Sequence, residues 1–136
     1  MRINPSRLYT WIASLGLFLQ GASTLLALML PAIDRAVPAL LRETQMIPSH
    51  SLLHITSGLV GLAALRFGGA VGPRGFALAF GLFYVALALA GALSGAPLGL
   101  GLKPFDHSLH ATLGGAGLLA VALDVINSRA ALRSNR

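Results

Sequence analysis

The sequence of 136 residues contains no cysteine, and charged residues make up only 10% of it. The absence of cysteine excludes disulfides, thiol catalysis and zinc or iron–sulfur sites built from cysteine. Soluble domains contain about 25% charged residues, whereas this chain is 55% hydrophobic and has a mean hydropathy of +0.76. A single domain this small cannot bury so much apolar surface in its own core, so we expect a membrane protein.

Four apolar runs follow one another, at about 8–30, 50–67, 76–97 and 107–127. Each is long enough to cross a hydrocarbon core of about 30 Å as a helix, and none alternates as a barrel strand does. The runs predict an all-α, four-helix transmembrane bundle that forms one domain, 1–136. Arg2 and Arg7 precede the first run, but that run exceeds the ~7–15 apolar residues of a signal peptide, so we expect a membrane anchor. A short interfacial helix is expected in the connection 31–49.

The basic residues predict the orientation of the bundle. Seven of the ten lie in the two terminal segments and between the second and third runs, where Asp124 is the one nearby acid: Arg2, Arg7, Arg66, Arg74, Arg129, Arg133 and Arg136. The positive-inside rule therefore predicts that both termini are cytoplasmic, in a bacterial inner membrane. The basic residues are scattered and lack the aromatic neighbours that read bases, so we expect no nucleic-acid partner.

All four histidines open the second and fourth runs, as His50, His54, His107 and His110. Spacings of four and three residues place each pair on one helical face. Glycines continue these two faces deeper into the bundle, at Gly58, Gly61, Gly114 and Gly117.

The two histidine segments belong to an internal repeat. His54 matches His110, and Gly16-Leu17-Phe18 in the first run matches the Gly-Leu-Phe triplet at 81–83 in the third. The order of the matches predicts two parallel two-helix repeats, related by an axis along the membrane normal.

The first interpretation of this pattern is helix packing. Glycines at these spacings let helix backbones approach closely in lipid, and histidine can hydrogen-bond across the gap. Ser49 and Asp106 are expected as N-caps of the second and fourth helices. Asp106 is also a candidate for orienting a histidine that binds a metal.

The second interpretation is ligand binding, because ionisable groups inside a membrane span are costly and mark functional sites. The four histidines offer nitrogens to zinc or copper. Alternatively, His54 and His110 are candidate axial ligands of a haem, and one imidazole suffices for a chlorophyll-type pigment. A proton-responsive role of the histidines is a further alternative.

Catalysis is not expected. Hydroxyl groups lie near the histidines, but no acid is available in the span to orient a base. We therefore expect a structural or accessory membrane protein, without an enzymatic activity or a resident cofactor, that is a subunit or partner of a larger membrane assembly. The haem-, pigment- or metal-binding protein remains the alternative.

The two histidine segments resemble motifs of a bacterial family of small four-span membrane proteins, domain of unknown function 4383. Its second helix opens with Asn-Pro-x-His-Asn-x-x-His-x-x-x-Gly and its fourth with Asp-Asn-x-x-His. The residues of this chain that match these motifs are Pro48, His50, His54, Gly58, Asp106 and His110. Ile47, Ser51 and His107 stand where the family has asparagine. The resemblance implies the four-span fold, and it implies no activity, cofactor or catalytic residue.

Overall fold

The computed structural model describes residues 4–36, 44–94 and 97–134, and nearly all of these residues are helical. The long helices are α1 (Pro5–Met29), α3 (Pro48–Phe67), α4 (Val71–Ser94) and α5 (Pro104–Ser134). A short helix, α2 (Pro31–Ala36), follows α1, and a 3-10 turn at Pro97–Gly99 precedes α5. No strand occurs in the part of the chain that the structure describes. The predicted all-α architecture with four long helices is confirmed.

The long helices begin earlier than the apolar runs, because their first turns are rich in proline. Pro5, Pro48 and Pro104 each stand at the first helical position, where the missing N–H needs no partner. Asn4 caps α1, since its Oδ1 accepts a hydrogen bond of 2.8 Å from the Arg7 N–H. The expected helix in the connection 31–49 corresponds to α2 over 31–36, while 37–43 lie outside the described residues.

Three helices, not four, are long and apolar enough to cross a membrane: Pro5–Met29, Val71–Ser94 and Pro104–Arg133. The expectation of four such helices is wrong for α3. That helix is 20 residues long, which gives a length of about 30 Å. However, it contains two histidines, three serines, a threonine and Arg66, so its average hydropathy is low.

The interior of the bundle is polar and its outside is apolar. The largest fully buried side chains are all polar or carry a hydroxyl: Tyr84, His50, His54, His110, Thr10, Ser6, Ser14 and Ser51. Large apolar side chains are exposed on all four long helices, for example Ile12, Leu59, Leu89 and Ile126. A protein in water shows the opposite distribution. This distribution matches a lipid solvent, in which polar groups need partners inside the protein.

The helices pack as two close pairs, α1 with α3 and α4 with α5. These are the pairs that the predicted repeat requires, but the Gly-Leu-Phe triplets are not equivalent within them. Gly16 faces open space, whereas a methyl group on Gly81 would lie 3.0 Å from the Gly114 carbonyl oxygen. The equivalent contact in the first pair is made by Ser14, whose carbonyl oxygen meets Gly58. The register predicted from the triplets is therefore wrong by two residues.

Candidate metal site

Three of the four histidines converge inside one end of the bundle, which we call the histidine end. His50 and His54 lie one turn apart on α3, and His110 reaches them from α5. One ring nitrogen from each lies within 4.8 Å of the others. The ring centroids form a triangle with sides of 4.6, 5.7 and 6.3 Å. All three side chains are 1% exposed.

The three imidazoles have no hydrogen-bond partners for most of their nitrogens. Both ring nitrogens of His50 and of His54, and Nδ1 of His110, are buried without a partner among the described residues. The Ser51 hydroxyl beside them is in the same condition. An unsatisfied buried polar group costs about 1–3 kcal/mol, so such groups are rare unless a water or ion completes them. Several of them at one point indicate a site for a bound species.

The cluster is bounded by an aromatic ring on one side and by a carboxylate near its other side. The Tyr84 ring meets that of His110 edge-on, at 4.8 Å and 90°. Tyr84 ends a stack with Phe80 and Phe76, whose successive centroids are 4.0 and 5.1 Å apart. Asp106 is buried on α5 and is close enough to His50 and His110 to interact with them electrostatically.

His107 is not part of the three-histidine group. A methyl group on Gly91 of α4 would collide with the His107 ring, so this side chain packs against α4. Its place three residues before His110 gave it the same predicted face, but three residues turn a helix by only about 300°. The predicted four-histidine metal set is therefore reduced to three: His50, His54 and His110.

The four predicted packing glycines lie at close helix–helix contacts, but α3 and α5 do not face each other. Within the described residues their Cα atoms stay more than 8 Å apart. A methyl group on Gly58 would be 2.7 Å from the Ser14 carbonyl oxygen of α1, and Gly61 also meets Ser14. Gly114 and Gly117 lie against α4, and Gly117 also meets Tyr9. Each glycine face thus packs inside its own helix pair, and only the histidines bridge the two pairs.

Sequence reasoning missed Gly21, which holds α1 against the histidines. A methyl group there would lie 2.6 Å from the Ser51 carbonyl oxygen and 3.0 Å from Cβ of His54. The signal was available, because Gly21 interrupts an apolar run at the depth where His54 is expected.

The predicted caps differ from the observed ones. Helix α3 begins at Pro48 with Ile47 as its N-cap, so Ser49 lies inside the first turn and is not a cap. Asp106 does stabilise the start of α5, although it is the third residue of the helix. Its Oδ2 accepts a hydrogen bond of 2.7 Å from the N–H of Lys103, as the third residue of a capping box does.

A second buried carboxylate, Asp124, lies near the opposite end of the bundle. Its Oδ2 accepts a long hydrogen bond of 3.4 Å from the Ser6 N–H at the start of α1. The nearby Thr10 hydroxyl contacts the carbonyl oxygens of Ser6 and Pro73, at 2.7 and 3.0 Å. Asp124 follows His110 by fourteen residues on the same helix, which is about 21 Å. This acid therefore ties α1 to α5 and cannot orient the histidines.

The comparison with known proteins adds no name to this geometry. No protein-family model matches the chain, and no curated protein and no solved structure matches it significantly. The resemblance to the family of four-span proteins stays a prediction.

The geometry fits a metal ion better than a haem or a pigment. The His50 ring adjoins both His54 and His110, so no gap remains between those two for a macrocycle. The glycines expected to make room for it are filled by neighbouring helices. Three nitrogens each about 2.0 Å from one ion would be about 3.3–3.5 Å apart, so modest side-chain rotations from the observed separations suffice.

Proposed function

We propose that this protein binds one transition-metal ion through His50, His54 and His110. The observation that carries the proposal is the convergence of three buried imidazoles, within 4.8 Å, whose nitrogens largely lack hydrogen-bond partners. Imidazole is a ligand for zinc, copper, iron and nickel. Asp106 acts as the nearby acid that favours the positive ion and orients His50 or His110.

The protein acts in a membrane, with α3 as a fourth spanning helix. The polar side chains His50, Ser51 and His54 of α3 point inward, while Leu59 and Val60 are half exposed on its outside. Its outer surface is therefore more apolar than its composition. The two close helix pairs support a duplicated two-helix unit. The distribution of arginines supports cytoplasmic termini in a bacterial inner membrane. A reporter fused to the C-terminus that is active only in the periplasm would overturn this orientation.

We expect the metal centre to be structural or regulatory, without an enzymatic activity. The three histidines are 1% exposed, so a substrate of ordinary size does not reach the ion. A second candidate function, as an accessory subunit of a membrane assembly, is favoured by Gly16 and Gly115. A methyl group on either would meet nothing within 4 Å, and such exposed glycines let another helix approach. Purification in mild detergent as a lone chain in every preparation would count against this role.

The metal content of the purified protein tests the main proposal. The protein is loaded with zinc or copper in detergent, dialysed and analysed by mass spectrometry of the metals. We expect about one ion per chain, lost in His54→Ala and retained in His107→Ala, because only His54 belongs to the cluster. Equal retention by both variants, or no metal in the wild type, would contradict the proposal.

A further inference from the structure

The charges around the three histidines restrict the kind of ion that they can bind. Metal-bound imidazoles are neutral, so the ligands themselves compensate none of the ion's charge. Among the described residues, Asp106 is the acidic side chain that interacts electrostatically with His50 and His110. Its buried carboxylate offers one negative charge. Lys103, at the surface just before α5, is half-buried, and a lysine extends its ammonium group toward water, where its charge is screened.

One negative charge balances a monovalent ion and leaves a divalent ion with an excess. The energy of transferring an ion from water into a low-dielectric interior rises with the square of its charge. The cost for a divalent ion is therefore about four times that for a monovalent one before the ligands compensate it. A buried site of three neutral ligands and one carboxylate accordingly favours a single positive charge.

The number of available ligands points the same way. Zinc is almost always four-coordinate, and a site with three protein ligands keeps a water in the fourth position. Here the Tyr84 ring packs edge-on against His110. Near the histidine end, Leu100 and Leu102 are buried against Leu87 and the half-buried Leu53, the neighbour of His54. Apolar side chains thus surround the cluster, and little space is left for a fourth, water ligand.

We propose that the ion is copper(I), held in a three-coordinate complex by His50, His54 and His110. This inference rests on the proposed metal-binding function and deepens it. Copper(I) carries one charge, has a filled d shell and accepts three ligands in a plane without a water. Imidazole is a suitable ligand for copper, and no cysteine is present in the chain to offer a softer alternative.

Competition experiments separate copper(I) from zinc. The detergent-solubilised protein is titrated anaerobically with copper(I) buffered by bicinchoninate and, separately, with zinc buffered by a chromophoric chelator. We expect copper(I) to bind at least about a thousandfold more tightly than zinc, with one ion per chain. Zinc binding at equal or higher affinity, lost in His54→Ala, would overturn the copper assignment and leave the metal site intact. Binding of neither ion would instead refute the proposed function.

Asp106→Asn tests the charge argument separately. The asparagine oxygen still accepts the Lys103 N–H, so the start of α5 is retained while the negative charge is removed. We expect the copper(I) affinity to fall by about ten- to a hundredfold, the usual effect of losing a partner outside the ligands. His107→Ala is the matched control and retains wild-type affinity. An unchanged affinity in Asp106→Asn would show that the carboxylate does not balance the ion.

Discussion

Replacing Gly21 by alanine tests whether close packing of α1 positions the histidines. Gly21 is buried against α3, one helix turn of which carries His54. The added methyl group would lie 2.6 Å from the Ser51 carbonyl oxygen and 3.0 Å from Cβ of His54. Ordinary contacts begin near 3.4 Å, so these distances are about 0.8 and 0.4 Å too short. Because the nearest atom belongs to the backbone, helix α3 itself must move.

The expected cost follows from this displacement. Overpacking of a well-packed interior costs about 1–3 kcal/mol. Alanine also recovers up to about 1 kcal/mol of helix propensity relative to glycine. Metal–ligand distances tolerate errors of only about 0.2 Å, so a movement of His54 by several tenths of an ångström disturbs the site. We expect a lower melting temperature and a metal affinity reduced by about tenfold or more.

Gly16→Ala on the same helix is the matched control, since a methyl group there meets nothing within 4 Å. Both variants gain the same helix propensity, so the difference of about 1–3 kcal/mol between them isolates the packing cost. Thermal unfolding in detergent and metal titration of the two proteins measure it. If Gly21→Ala melts with Gly16→Ala and binds metal as tightly, the contact with α1 does not position His54.

Three further predictions follow from the caps, the ligands and the aromatic stack. Asn4→Ala should cost about 1 kcal/mol of stability by removing the cap of α1, whereas Ser49→Ala should change stability little; equal losses would refute the assignment of the caps. Acidification from about pH 7.5 to 5 should release the metal, because protons compete for the imidazole nitrogens, and retention measured after dialysis at each pH checks this. Tyr84→Ala should destabilise the protein by about 3–5 kcal/mol and loosen the metal site, since the ring is fully buried against His110; a melting temperature near that of the wild type would show that the ring does not support the cluster.

The sequence was sufficient to predict the helical class and the polar contacts of the bundle. The four apolar runs lie within the four long helices, because continuous apolar runs of this length form helices in lipid. His54 and His110 were selected as the central pair from their matching places in the two halves, and the structure brings them together with His50. Local spacing carries this information, since it determines which residues share a helical face.

Tertiary packing determines what local spacing does not. The average hydropathy of α3 is low because its histidines and Ser51 point inward, and an average cannot record direction. His107 turns toward Gly91, which no spacing within α5 reveals. The N-cap of α3 moved from Ser49 to Ile47 because Pro48 occupies the first helical position. These differences arise from contacts between elements far apart in the chain.

The most direct test of a three-imidazole metal centre is the X-ray absorption fine structure of the ion in the loaded wild-type protein. A bound ion should show three imidazole nitrogens at about 2.0 Å, with the outer-ring scattering that identifies histidine. In His54→Ala this pattern should be lost, and in His107→Ala it should be unchanged. A shell of oxygen atoms without imidazole scattering in the wild type would contradict the account, because it would place the ion on the surface.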